Sequence, residues 1–186
     1  MPKLRDLVYS DLARQFELEG RPQLRPNFFR LLARLLHYRF LPSVFCRLSR
    51  AAFLAGLPLL PQFFTYLNIV FFGLEVTPKC DIGPGVFFAH PVGTVLGASR
   101  IGENVMFFQG VTVGAKFADM QFDPALRPAI GNNVVLGAGC KVLGGVELGD
   151  NVTVGANAVV LESVVPGATV AGIPARIVSL KAPASK

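Results

Sequence analysis

At 186 residues the chain has room for one domain of ordinary size plus a small appendage, not for two independent enzymes. Hydrophobic residues make up 52% and charged residues 16%, with 19 Gly, 14 Pro, 16 Phe and no Trp, which excludes disorder over most of the chain. The net charge of +6 lies wholly in the first part: residues 1–74 carry ten Lys or Arg against four Asp or Glu, whereas residues 75–186 carry eight of each. The basic excess comes without a zinc-finger, RNP or GXXG signature, so the expected partner is an anionic membrane surface or an anionic cofactor and not nucleic acid. Cys46, Cys80 and Cys140 are odd in number, widely spaced and without a CxxC. They give neither a disulfide framework nor a zinc site, no metal is expected, and reduced cytoplasmic thiols are the default. Residues 1–20 show no basic start followed by a short apolar run, so no secretory leader is expected.

From Leu4 to about Leu60 the apolar residues recur at helical spacing, as in Phe28, Leu31, Leu32, Leu35 and Leu36, with Arg30, Arg34 and Arg39 between them. Pro22, Pro26, Pro42, Pro58 and Pro61 punctuate this stretch and predict three or four short amphipathic helices. The 24 residues Ala51–Leu74 carry no charge, a length that reaches across a bilayer. Pro58 and Pro61 interrupt them, Gln62 and Asn68 would sit near mid-membrane, and the preceding arginines would push everything after Leu74 to the far side, away from a cytoplasmic cofactor. Burial in a subunit interface, or peripheral lipid contact through residues 28–74 at the inner face of the membrane, is the expectation instead.

After Glu75 the pattern becomes a repeat of six. Large apolar residues fall at Val76, Ile82 and Phe88, then after a one-residue slip at Val95, Ile101, Phe107 and Val113. An excursion covers residues 115–129, and the phase resumes at Ile130, Leu136, Val142, Leu148, Val154 and Val160. Glycine follows the aliphatic position at Gly83, Gly102, Gly131, Gly137, Gly149 and Gly155. A period of six is neither 3.6 nor 2, so it describes neither an amphipathic helix nor a half-buried strand. A short strand plus a tight corner per hexad closes a triangular coil every three hexads, with the aliphatic residue inward and the glycine in a backbone geometry that other residues resist. About fifteen hexads give about five stacked coils, enough for a stable shared axis.

Only His37 and His90 offer imidazole, the side chain best suited to proton transfer near neutral pH. His37 lies among arginines and reads as a surface or packing residue. His90 follows Phe88-Ala89 where the hexad phase slips, and a slip bulges the chain and re-aims a side chain. Glu75 lies 15 residues earlier, nearly one coil of 18, so its carboxylate is placed to reach the far imidazole nitrogen; the plainer alternative is a corner histidine and a surface glutamate. Cys140 sits inside a regular hexad and reads as packing, not as a nucleophile.

Five segments then stand in order: Glu75-Val76-Thr77-Pro78, Ile82-Gly83-Pro84-Gly85 running into His90, Gln109 to Gly114, Leu136 to Gly144, and Ala171 to Val178. Together residues 75–178 resemble the catalytic half of the serine acetyltransferase family, left-handed β-helix acyltransferases with hexapeptide repeats; residues 1–74 fit as a shortened helical region and 179–186 as a C-terminal tail. The resemblance implies an acetyl-CoA-dependent O-acetyltransferase, a homotrimer with active sites in the grooves between β-helices. It makes His90 the general base and Glu75 the carboxylate that orients it. It places CoA along Gly114 and Ala115 and the small corners Ala138 and Ala156, with Lys141 and Arg176 as phosphate partners or merely solvated charges. Two departures concern the acceptor: Ala89 stands where the family carries an aspartate, and Arg127 where it carries a second histidine. The ammonium of serine thereby loses a carboxylate partner, which is costly in a desolvated site. A sugar or polysaccharide-precursor hydroxyl rivals L-serine as acceptor, with Arg127 open to a carboxylate or phosphate on it. A non-catalytic trimeric scaffold is the alternative of another class.

Overall fold

The computed structural model describes residues 2–180. Four helices come first: α1 (Leu4–Leu18), α2 (Phe28–Arg34), α3 (Leu41–Leu54) and α4 (Leu60–Phe72). The prolines bound them as their chemistry requires. Pro22 and Pro26 lie between α1 and α2, while Pro42 and Pro61 occupy the first turns of α3 and α4, where a missing N–H costs nothing. The Asn27 side chain accepts from the Arg30 N–H at 2.9 Å and caps α2. The uncharged stretch after Ala51 is thus divided between two helices, and no described helix is long and apolar enough to cross a membrane.

The remainder winds into five coils. The first holds β1 (Leu74–Val76), β2 (Asp81–Ile82) and β3 (Phe87–Phe88), and the second β4 (Thr94–Leu96), β5 (Arg100–Ile101) and β6 (Met106–Phe107). The third holds β7 (Thr112–Gly114), β8 (Ala129–Ile130) and β9 (Val135–Leu136), and the fourth β10 (Lys141–Leu143), β11 (Glu147–Leu148) and β12 (Thr153–Val154). The last holds β13 (Val159–Val160), a bridge from Val164 to Leu148, and β14 (Ala168–Ala171). Stacking makes three parallel sheets: β1-β4-β7-β10-β13, β2-β5-β8-β11, and β3-β6-β9-β12-β14. Strand β15 (Arg176–Leu180) closes the third sheet in the antiparallel sense, so the tail expected from residue 179 begins as strand, and its remainder lies outside the described residues.

The axis is filled by two residues per hexad, not one. Phe88, Phe107 and Leu136 are fully buried, and so is the residue two places before each, from Val86 through Val105 to Val134. The Phe88 and Phe107 rings stack at 5.5 Å along this axis. Val95 does not face inward: it is 38% exposed and Leu96, at 1%, takes its place. The chain gains two residues at the corner after Phe88 and gives one back before Ile101, so the apparent one-residue slip is a net of two irregularities. Nor do the hexad glycines adopt a left-handed backbone. They are required by contact between coils, since a Cβ on Gly102 would lie 2.5 Å from the Gly131 carbonyl oxygen. The left-handed position falls two residues later, on residues such as Asn104 and Gly139.

The helices cover the open end of the first coil. Cys46 of α3 joins the axial core beside Leu74, Val76 and Cys80, while Leu12, Phe16, Phe40 and Val44 form a small core between the helices. Each parallel coil donates backbone N–H groups to the next, as Gly83 does to Ile101 at 2.8 Å, which leaves the first coil's outward groups without a strand partner. Two buried side chains supply what is missing. Asp11 accepts from the Gly85 and Val86 N–H groups, each at 3.0 Å, and Arg47 donates to the carbonyls of Ile82 and Gly83. The two also pair with each other at 3.0 and 2.9 Å.

Candidate active site

His90 lies at the corner between β3 and β4, where the two extra residues are inserted, and its side chain is exposed. The corner is pinned on both sides. The Ala89 N–H donates to Phe107 O at 2.9 Å, Gly93 N–H to Gly73 O at 2.9 Å, and Gly110 N–H to Val92 O at 2.9 Å. Glu75, the outward residue of β1, follows Gly73 by two places and is likewise exposed. Imidazole and carboxylate therefore share one edge of the first coil, but no hydrogen bond joins them within the single chain.

The residues assigned to CoA divide between the two edges of the β1-β4-β7-β10-β13 face. Ala138 and Ala156 stack one coil apart where the chain enters that face, tied by the Asn157 N–H to Ala138 O bond of 2.8 Å. Gly114 and Ala115 lie where the chain leaves it, and a Cβ on Gly114 would meet nothing within 4 Å. Lys141 is bound back to the corner, its Nζ donating to Gly110 O at 2.6 Å. Arg176 is open to solvent, with Glu162 3.9 Å away.

Arg127 has a structural task. Its Nε donates to Asp119 Oδ2 at 2.8 Å, Nη1 to Gly97 O at 2.9 Å and Nη2 to Asp119 O at 2.9 Å, and the guanidinium lies 4.0 Å from the Phe122 ring centroid. These contacts form a clamp that folds the excursion back on the β-helix. Burial pushes the thiols of Cys46, Cys80 and Cys140 up to about 12, so none is a nucleophile at neutral pH. No group of three or more His, Cys, Asp or Glu that could hold a metal occurs among the described residues.

Comparison with known proteins agrees with the fold. The family model of the bacterial transferase hexapeptide (six repeats) matches residues 127–162. The serine acetyltransferase of Synechococcus elongatus is 36% identical over 146 residues, 77% of this chain and 59% of that protein. That of Synechocystis sp. is 42% identical over 133 residues, 71% of this chain and 52% of the relative. The chain thus spans little more than half the length of these curated relatives. Among solved structures, serine acetyltransferase of Neisseria gonorrhoeae superposes with a TM-score of 0.81 at 28% identity, covering 97% of this chain and 68% of that one. A serine acetyltransferase in complex with CoA superposes with a TM-score of 0.79 at 29% identity, covering 94% and 69%. In sequence and in fold, the chain is a relative of the serine acetyltransferases.

In this serine acetyltransferase relative, Ala89 is 8% exposed and faces the helical layer. A cleft of about 240 Å³ separates the two, lined among others by Gln15, His37, Arg39, Ala89, Met106 and Phe108. Burial and the nearby Arg34 guanidinium lower the His37 pKa, so that ring is neutral at pH 7. Sequence reasoning gave no site role to Gln15, Arg39, Asp11 or Arg47. Periodicity placed all four in the helical stretch, where Arg39 falls in the turn between α2 and α3, but no spacing signal reports which side of that layer docks on which side of a β-helix.

Proposed function

We propose that the chain is an acetyl-CoA-dependent O-acetyltransferase that works as a homotrimer. A neutral hydroxyl is a weak nucleophile, so His90 takes its proton as the oxygen attacks the thioester carbonyl. The C–S bond then breaks, acetyl passes to the acceptor oxygen, and the CoA sulfur leaves with the proton returned from the imidazolium. Glu75 acts as a positioning residue that orients the ring and stabilises its cationic form. The supporting observation is the placement of His90, the sole imidazole of the β-helix, exposed and pinned at a corner where the hexad is broken. A groove between neighbouring copies brings the two edges of one face together, Gly114 and Ala115 from one copy meeting Ala138 and Ala156 of another. That arrangement gives a reason for small residues at both edges and for the open space beside Gly114. Arg176, exposed with Glu162 3.9 Å away, is the first cation proposed for the phosphates along this path and Lys141 a secondary one.

The test is thiol release from acetyl-CoA in the presence of hydroxyl acceptors. A His90→Ala variant is expected to lose roughly 10²–10⁴-fold in turnover, the ordinary contribution of a positioned base. Turnover equal to that of the parent would reject the assignment. Light scattering on the eluting peak is expected to give three times the chain mass.

A further inference from the structure

Residues 20–40 contain five arginines, Arg21, Arg25, Arg30, Arg34 and Arg39, and no Asp or Glu. Arg34 is paired with Glu19, and the Arg39 guanidinium lies 5.1 Å from the Tyr38 ring centroid. Arg21, Arg25 and Arg30 pair with no carboxylate among the described residues. Helix α2 runs through the middle of this segment and buries none of its residues. At 3.6 residues per turn its side chains divide between two sides. Leu31 and Leu35 turn inward and pack on the small core of Leu12, Phe16, Phe40 and Val44. Phe28, Phe29 and Leu32 share the opposite side with Leu36 of the following turn, and the four are 63%, 79%, 57% and 92% exposed. Four large apolar side chains held out beside unpaired arginines call for a partner that is apolar and anionic at once.

A second copy of the chain fits that description poorly. Two-fold pairing of this patch would set its arginines against their own counterparts, and like charges across an interface oppose association. The β-helix offers no acidic surplus to receive it, since residues 75–186 carry eight acidic and eight basic residues. A bilayer containing anionic lipids supplies both halves: its phosphates accept from guanidinium groups, and its acyl boundary takes the phenyl and isobutyl side chains. With seven residues α2 is far too short to span, so it would lie in the plane of the interface. We infer that α2 is a membrane-surface anchor, which seats Phe28, Phe29, Leu32 and Leu36 at the acyl boundary of an anionic bilayer with Arg21, Arg25 and Arg30 on the headgroups.

The test is sedimentation of the full chain with vesicles of phosphatidylcholine alone and of phosphatidylcholine with phosphatidylglycerol at about three to one, which is an anionic surface. Binding is expected to the anionic vesicles, and to weaken about tenfold or more when salt is raised to about 1 M, where the screening length is about 3 Å. Phe29→Ser with Leu36→Ser changes two solvent-exposed positions, so the melting temperature is expected to hold while affinity for the anionic vesicles falls about tenfold or more. Arg25→Gln with Arg30→Gln is expected to weaken binding about twenty-fivefold, about fivefold for each charge removed. The chain has no Trp, so Leu36→Trp provides a single reporter. Its emission is expected to shift to the blue on the anionic vesicles and to be quenched by brominated acyl chains. Sedimentation with that emission unchanged would mean that the net charge of +6 adsorbs the chain without seating α2, and would overturn the proposal. Recovery in the supernatant with both vesicles would overturn it as well; an assembly that Phe29→Ser with Leu36→Ser then splits, read by light scattering, would assign the face to a second copy. His90→Ala is expected to bind vesicles as the parent does, so the anchor and the acetyl transfer stand or fall separately.

Discussion

Gly102 and Gly114 show how differently two glycines of one repeat are used. At Gly102 an added Cβ would meet the Gly131 carbonyl oxygen at 2.5 Å and the Asn132 Oδ1 at 2.6 Å, both held by the coil above. Gly102→Ala is therefore expected to destabilise by about 1–3 kcal/mol, as overpacking of rigid neighbours does, and a thermal melt reads it directly. At Gly114 there is nothing to strike, so Gly114→Ala is expected to leave the melting temperature unchanged or slightly raised. If CoA runs past this position, the same substitution raises the KM for acetyl-CoA, and equal KM values would remove Gly114 from the groove. The sequence pattern located these glycines but supplied the wrong reason for the first, because contact between coils 29 residues apart leaves no mark on local spacing, whereas a left-handed turn does. His90 was legible for the opposite reason: a break in a regular period is itself local.

At the scale of elements, the six-residue period prescribed the number of coils because inward positions recur wherever three faces close. It also hid Leu96 behind Val95, since a gain of two residues and a loss of one leave a net slip of one that sets Val95 in step with Ile101. The excursion was legible only as a gap. Its conformation depends on Arg127 and Asp119, whose side chains are 12% and 8% exposed, and on the Phe122 ring beneath the guanidinium. A guanidinium donating to a carboxylate, to that residue's own carbonyl and to Gly97 closes a loop that has no sheet partner of its own. Asp119→Asn is expected to open residues 115–128 without unwinding the coils, so trypsin should cut after Lys116 about tenfold faster while the global melt hardly moves. Loss of the whole melt in parallel would show that the clamp supports the β-helix itself.

The whole molecule is a stack with one dressed end. In a solenoid each coil touches only its neighbours, so an exposed first coil is the weak point and needs a cap. Asp11 and Arg47 provide it with side chains in place of a strand, and both are buried, at 1% and 4% exposure. Their joint contribution is conditional on both being present. Arg47→Met leaves a buried carboxylate with no counter-ion and the Ile82 and Gly83 carbonyls unpaired, an expected loss of about 3–5 kcal/mol. Replacing both, Asp11→Leu with Arg47→Met, removes the stranded charge and is expected to cost less than the single change. Because coupling runs along one dimension, the damage is expected to be graded. Amide exchange in Arg47→Met should accelerate at α1, α3 and residues 81–88, fall off through the second coil, and stay at parent levels over β10 to β13. Uniform acceleration along all five coils would mean that the helical layer and the β-helix unfold as one unit and that the end cap holds the entire stack. Because His90 leaves the same first coil that Asp11 and Arg47 hold, its role as the base predicts that thiol release from acetyl-CoA falls in the single variant and recovers in the double one in step with exchange at residues 85–88.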